Sequence, residues 1–554
     1  MPATDVTPAE PTGAGDRGRS RWMPRGSALG PRCAGAVVSG ALVALAFPPY
    51  DLWPLAPLGI AGLVLLTRGV RPRRGALIGL VHGLAVFLPL LSWLTIIGPD
   101  AWIAVALLES AFLAATGALL PATQRLPGWP VWVACLWVAQ EAARDRVPFG
   151  GFPWGRLAFA ETASPFTGFA AVGGAPLVSA ATALGGALLA GAMLALVPPR
   201  DRSPGQSPTR RPAALTAALL AAAVAVPVLG LLVPTGPGEG RPVTVALVQG
   251  GVPGEGMDFL GEREQVLRNH VAATHRLADA VRAGRRPAPD LVVWPENSSD
   301  IDPFTDAPAR NLIDAAVRDI GVPVLVGAVV DGPGPDHVSN TGIVWDPATG
   351  PGERYVKRHP VPFGEYIPFR DELTGLISRL DQIPRDFYAA DQPGNLTVGP
   401  AEVGDVICFE VAYDSLVRDV VAGGADVLVV QTNNATYNGT GQPQQQMAMS
   451  RLRAVEHGRT VLVTATSGIS AVVNPDGAVV RRAPERVART LVTTIQLHDR
   501  RTVASRLGAL PEWLLTAAGV GAALAGLAVG RRHRRLTTAD RAHPDQRPEQ
   551  EARP

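Results

Sequence analysis

The sequence predicts a multi-pass α-helical membrane domain of about eight spans joined to an α/β domain outside the bilayer. Three observations predict it. From about residue 34 to 233 the chain is a series of apolar runs separated by short polar links. From about 241 to 500 it alternates β-branched runs with amphipathic ones, the signature of buried strands packed by helices. One more apolar run near 508–530 ends in Arg531-Arg532-His533-Arg534-Arg535.

The first thirty or so residues are polar and rich in Pro, Gly and Arg. They read as a disordered tail with no cleaved signal peptide. The apolar runs lie at about 34–49, 54–67, 75–97, 101–120, 129–143, 171–197 and 212–233, with the eighth near 508–530. Several fall short of the usual twenty residues, so the first two could form a tight hairpin. Basic residues mark the sides. The N-terminal tail carries Arg17, Arg19, Arg21 and Arg25; Arg68, Arg71, Arg73 and Arg74 follow the second run, and Arg200 to Arg211 holds four arginines after the sixth. With eight spans, these segments and the C-terminal cluster share one side, which the positive-inside bias makes cytoplasmic. The chain is therefore expected in the plasma membrane with both termini inside and the segment between the last two spans outside. The expected units are a tail at 1–30, spans at 31–234, a catalytic domain at 235–505, a last span at 506–530 and a disordered basic tail at 531–554.

The segment Arg144 to Gly155 has too many charges, glycines and prolines to span. It reads as an outward aromatic loop at the lipid interface, either a plain connection or a substrate-facing lip. In the α/β part, Val243–Gln249, Leu291–Trp294, Val322–Val330, Asp426–Val430, Thr460–Thr464 and Thr490–Ile495 read as strands, and Glu262–Val281 and Arg451–His457 as helical. A net charge of +2 leaves no footprint for nucleic acid. Three cysteines, two of them (Cys33 and Cys135) in apolar segments, exclude a disulfide framework.

Three reactive groups stand at or just after strand ends. Trp294-Pro295-Glu296 follows Leu291-Val292-Val293, Tyr355-Val356-Lys357 precedes a Pro- and Gly-rich loop, and Val406-Ile407-Cys408 closes a third strand. Singly, each has a structural explanation: a helix-capping carboxylate, a surface ammonium, a core thiol. Together they suit acyl transfer. The carboxylate takes the thiol proton, and the ammonium supports the thiolate and then the tetrahedral oxyanion, which a peptide N–H beside the nucleophile also contacts.

The Glu–Lys–Cys order in an α/β domain resembles the nitrilase, or carbon–nitrogen hydrolase, superfamily. Its insertion between apolar spans resembles the apolipoprotein N-acyltransferases. The phrase from Tyr355-Val356-Lys357-Arg358-His359 through Pro362-Phe363-Gly364-Glu365-Tyr366-Ile367-Pro368 is close to that family's version, as are Cys408-Phe409-Glu410 and Gln444 to Arg459. The resemblance spans about 34–530. It implies a nitrilase-like αββα sandwich with Glu296 as general base, Lys357 as oxyanion and thiolate partner, Cys408 as nucleophile, and Glu365 and Glu410 in support. It also implies Tyr437, Trp154 and Phe363 as candidates for a substrate loop. The substrates it implies are a phospholipid acyl donor and a diacylglyceryl apolipoprotein acceptor met at the membrane lipid, in a ping-pong scheme by a monomer without metal or cofactor. Loops near 144–170, 363–369 and 376–390 are expected to shield the thioester from water. One departure stands out: Thr436-Tyr437-Asn438 occupies the place of an aromatic pair and glycine. The alternatives are a membrane-tethered amidase and a degenerate, non-catalytic paralogue.

Overall fold

The computed structural model describes residues 29–196, 210–236, 238, 240–252, 263–375, 380 and 383–542. The expected tails at 1–28 and 543–554, and most of the arginine link after the sixth run, lie outside the described residues.

All eight apolar runs are helical: α1 (Leu29–Ala46), α2 (Leu55–Thr67), α3 (Pro72–Leu90), α4 (Pro99–Thr123), α5 (Trp129–Arg144), α7 (Ala170–Ala195), α8 (Arg210–Leu231) and α15 (Leu510–Ala542). A short α6 (Leu157–Ala160) precedes α7. Six described helices are long and apolar enough to cross a membrane. α2, at 13 residues, is apolar but shorter. α5 has 16 residues and buries Gln140, Glu141 and Arg144 near its end. Two boundaries differ from expectation. The 75–97 run breaks at Leu90 into a 3-10 turn, just after Pro89, which removes one helical hydrogen bond from the last turn. The last helix continues to Ala542, so residues 531–542 extend it instead of beginning a disordered tail: Arg, Leu and Ala are good helix formers, and lengthening an existing helix needs no new nucleus. α7 is kinked at Gly173 and Gly174, the latter at φ 69°.

The α/β part contains β1 (Arg241–Gln249), α9 (Arg263–Arg282), β2 (Leu291–Val293), α10 (Ala307–Ile320), β3 (Val324–Asp331), β4 (His337–Asp346), β5 (Gly350–Val356), α11 (Arg370–Leu373) and β6 (Asp386–Phe387). It continues with β7 (Asn395–Val398), β8 (Ala401–Ile407), α12 (Asp414–Ala422), β9 (Val427–Thr432), α13 (Gln442–His457), β10 (Val461–Ala465), β11 (Ala471–Val473), β12 (Val479–Arg482), β13 (Arg489–Leu497) and α14 (Val503–Leu507). One sheet runs β13-β1-β2-β3-β4-β5 with β6 beside β4, and the other β12-β11-β10-β9-β8-β7.

Alternation along the strands makes these sheets a sandwich. Val245, Leu247 and Val293 of the first face Val403, Ile407, Val427 and Val429 of the second in one core. The intervening Ala246, Val248 and Val292 turn outward onto α9 and α10. On the other side, Val406, Leu428 and Val430 pack toward Val417, Val420, Met449 and Leu452 of α12 and α13. That outer helical layer does not end at a water boundary. Its core is continuous with Phe87, Trp154, Phe159 and Ala175 of the membrane half. The expected αββα arrangement is present, with membrane helices forming the floor beneath one of its helical layers.

Candidate active site

The strand directions bring the three reactive groups to one edge. β1, β2 and β3 are parallel, and β4 then β5 each reverse, so β5 ends where β2 ends. Glu296 lies three residues past β2 and Lys357 one past β5; Cys408 begins the turn after β8. Gly327 of β3 allows this closeness: a Cβ there would stand 2.2 Å from the Pro295 carbonyl oxygen, so a larger residue would displace the Glu296 loop.

Lys357 is fully buried, with Nζ 3.3 Å from Glu296 Oε1 and 2.9 Å from Glu365. Asn340 Nδ2 donates to Glu296 Oε1 at 2.7 Å and to Glu365 Oε1 at 3.0 Å. Backbone amides complete both carboxylates: Asn433 N–H donates to Glu296 Oε2 and Val361 N–H to Glu365 Oε2, each at 2.7 Å. Burial alone would lower the Lys357 ammonium, but Glu365 and Glu296 outweigh it and hold its pKa above the ordinary value.

Cys408 sits at φ 55°, a left-handed backbone that a non-glycine residue adopts only under constraint. Thr432 Oγ1 lies 3.4 Å and Gln446 Nε2 3.7 Å from its Sγ. Burial and then Glu296 push the thiol up to about 12 against a smaller pull from Lys357, so the resting sulfur is protonated. A thiol in that state needs a base before it can attack, and Glu296 and Glu365 are the carboxylates at this edge. Glu410 takes another part. It accepts from Tyr355 Oη at 2.8 Å and from the amides of Ile407, Arg358 and His359 at 2.7, 2.8 and 3.0 Å. It thereby ties the Cys408 turn to the Lys357 loop.

The structure thus brings Glu296, Lys357, Glu365 and Cys408 together and places Glu410 behind them. Tyr437 stands edge-on to Trp93, ring centroids 5.0 Å apart. Phe363 is exposed and packs on Phe149, which also meets exposed Phe369. Of the expected shield, residues 376–379 and 381–382 lie outside the described residues. Asn340, Thr432 and Gln446 were not anticipated. The buried run Ser339-Asn340-Thr341 inside β4 is the one available signal, since a core strand seldom carries three polar residues in a row.

The 144–155 segment corrects the sequence reading. Its two ends are not loop surface: Arg144, Asp145, Trp154 and the following Arg156 are buried, while Val147 and Phe149 at its middle stay exposed. Arg144 pairs with Glu109 at 2.7 Å, and Arg156 with Asp145 at 3.1 Å and with Asp414 of α12 at 2.8 Å. Asp414 also meets Arg453 of α13 at 2.8 Å. Ionic groups that look exposed by composition are buried here because partners from distant segments neutralise them. Trp154 donates Nε1–H to Gln445 Oε1 at 2.7 Å and stacks on Phe409, beside the nucleophile.

Burial also lowers three histidines of the α/β part, His270 and His359 to about 4 and His457 to about 3. A depressed histidine favours the folded state at pH above its ordinary 6.5, and this advantage is lost as pH falls through the folded value. The melting temperature of the detergent-solubilised chain is therefore expected to drop steadily between about pH 6.5 and 4. A flat profile there would contradict the neutral assignment.

Comparison with known proteins finds relatives for both halves of the chain. Residues 39–188 match the family model "Apolipoprotein N-acyltransferase N-terminal domain", and residues 244–505 match "Carbon-nitrogen hydrolase". The chain is 41% identical over 524 residues to the apolipoprotein N-acyltransferase of Mycolicibacterium smegmatis, covering 91% of this chain and 88% of that one. It is 29% identical to that of Photobacterium profundum, covering 86% and 91%. Among solved structures, a mutant amidase of the nitrilase superfamily from Nesterenkonia AN1 is similar to half of the chain, with a TM-score of 0.36, 19% identity and 95% of that chain covered. With a close relative matched along nearly its whole length and both halves matched in order, the chain belongs to the apolipoprotein N-acyltransferase family.

Proposed function

We propose that this chain moves an acyl group from a phospholipid to the N-terminal amine of diacylglyceryl-cysteine apolipoproteins, through a thioester on Cys408. Glu296 takes the thiol proton as Sγ attacks the donor ester. The tetrahedral oxyanion faces Lys357 Nζ and the Phe409 amide. Collapse expels the lysophospholipid, whose alkoxide takes the proton from Glu296, and leaves the thioester. The apolipoprotein amine then attacks, Glu296 accepts its proton, and the Cys408 thiolate departs. Glu365 holds the ammonium against Glu296, and Glu410 holds the turn.

One observation favours a lipid donor over a small amide. Phe152 and Trp154, from the membrane half, stack on Phe409 at 5.6 and 5.9 Å, and Trp93 meets Tyr437. The residue next to Cys408 is thus packed by rings from the segments that join the membrane helices, an apolar environment that matches an acyl chain. Trp154 and Tyr437 belong to this wall in our reading, and Phe363 to an aromatic rim with Phe149 and Phe369. The arginine clusters support eight spans with both termini cytoplasmic and the 235–505 domain outside; in our reading the chain acts as a monomer.

Incubated with phospholipid micelles, the purified chain is expected to gain the mass of one acyl chain, and a lipopeptide amine should remove it. Cys408→Ser should gain none. Turnover of small amides without an adduct would favour hydrolysis instead, and an adduct persisting in Cys408→Ala would refute the assignment of the nucleophile.

A further inference from the structure

We propose that Thr432 and Gln446 are two further catalytic groups, neutral donors that stabilise the Cys408 thiolate in both half-reactions. The proposal rests on the acyl-transfer reading for its second half but not for its first.

Their positions follow from the fold. In the parallel pair β8–β9, Ile407 is in register with Gln431, so the next residues, Cys408 just past β8 and Thr432 at the end of β9, stand side by side. Gln446 lies in the second turn of α13, on the face opposite that turn. Among the described residues, these two side chains make the hydrogen-bond contacts of Sγ, Thr432 Oγ1 at 3.4 Å and Gln446 Nε2 at 3.7 Å. Both are buried.

The carboxamide is oriented from behind. Asn434 Nδ2 donates to Gln446 Oε1 at 2.7 Å, which directs Nε2–H toward the sulfur. Asn434 is itself anchored, since the same Nδ2 donates to Gln442 Oε1 at 2.9 Å. Thr432 has one proton and three places for it: Gln446 Oε1 at 3.1 Å, Asn434 Oδ1 at 3.3 Å and Sγ at 3.4 Å. While the thiol is protonated, the hydroxyl satisfies Gln446. As charge develops on sulfur, the same proton turns to it without moving a heavy atom.

The electrostatics show why such donors are needed. The charged groups acting on Cys408 are Glu296 and Glu365, which disfavour the thiolate, and Lys357, which favours it. The ammonium is already engaged by both carboxylates, at 3.3 and 2.9 Å. One shared cation leaves the sulfur short of stabilisation. Two oriented neutral dipoles supply it without adding a charge that would compete for Glu296. They act when the thiolate attacks, and again when it is the leaving group as the amine takes the acyl chain.

The test uses near-isosteric variants, Thr432→Val and Gln446→Met, with Thr432→Ser as the conservative control. Alkylation of the full chain by iodoacetamide, followed at the Cys408 peptide by mass spectrometry at fixed pH, reads thiolate supply without any lipid. Each donor lost should slow it about threefold to tenfold, given what a hydrogen bond to a charged group is worth and the partial offset from a more basic thiol. Thr432→Ser should match the parent within about twofold. The preformed acyl-enzyme of the double variant should transfer to a lipopeptide amine at least about tenfold more slowly. Parent-like alkylation in both Thr432→Val and Gln446→Met would overturn the proposal. If the parent formed no acyl-enzyme at all, the acyl-transfer reading would fall, while the alkylation rates would still decide this one.

Discussion

Lys357→Met is expected to lower acyl transfer by at least about a thousandfold and to destabilise the fold by about 3–5 kcal/mol. The second figure follows from what the ammonium leaves behind. Glu296 and Glu365 converge on Nζ and share the Asn340 amide, so removal of the cation puts two carboxylates in one buried site with a single donor between them. They would respond by taking up a proton, and the base would be disabled along with the oxyanion partner. The sign of the pH dependence is fixed by the same geometry. The folded pKa of Lys357 lies above its ordinary value of 10.5 because Glu365 and Glu296 overcome burial. Its contribution is complete below 10.5 and is lost only as pH rises through the folded value, so the full effect should appear at neutral pH. Glu365→Gln should cost less, since Glu296 still holds the ammonium. Purified variants, compared by initial acylation rate and by chemical denaturation, check both figures. A Lys357→Met chain with more than about a tenth of parental activity would remove the residue from the mechanism.

The three reactive groups were legible in the sequence because each follows a short β-branched run. Period-two burial then requires the chain to leave the sheet at a definite edge. The apolar runs were legible for a similar reason, since helical periodicity and length are local properties. What stayed hidden depends on partners far away in the chain. Arg156 looks solvated in isolation and is buried only because Asp414 arrives 258 positions later. Gln445 looks like one of three interchangeable glutamines. Yet it receives hydrogen bonds from Trp93 and Trp154 while its neighbour Gln446 points at the thiol, a division that the 100° step between helical neighbours imposes once α13 is docked. The edge strands β7 and β12 were missed because each has only 4 residues, too few for a period to stand out from its flanks. The left-handed φ of Cys408 leaves no trace in composition.

Asp414→Asn, which removes a charge and hardly any volume, is expected to destabilise the chain by about 3–5 kcal/mol. Two buried guanidiniums depend on that carboxylate, Arg156 of the membrane half and Arg453 of α13, each at 2.8 Å. Arg453 retains Glu456 at 2.5 Å, and Arg156 retains Asp145, so each keeps one anion but loses the one that both share. Although burial raises the Asp414 carboxyl, Arg156 and Arg453 hold it well below the ordinary 3.8. Its contribution is therefore complete above that value and is lost only as pH falls beneath it. A buried ion network is weak evidence for stability in itself, because apolar residues of equal volume often serve as well. What they would not supply is direction. The shared carboxylate sets how α12 and α13 lie on the membrane helices, and α13 is the element that carries Gln445 to the tryptophans. Loss of the charge should therefore separate two measurements. Alkylation of Cys408 by iodoacetamide should stay near the parental rate, because the contacts around Sγ lie within the α/β part. Acyl transfer from phospholipid should fall by about tenfold, because the wall of rings around Phe409 is shared between the halves. A double-mutant cycle with Arg156→Met should give a coupling above about 1 kcal/mol. Unchanged stability, or alkylation and acyl transfer falling together, would show that the network does not set the alignment of the thiol with the membrane half.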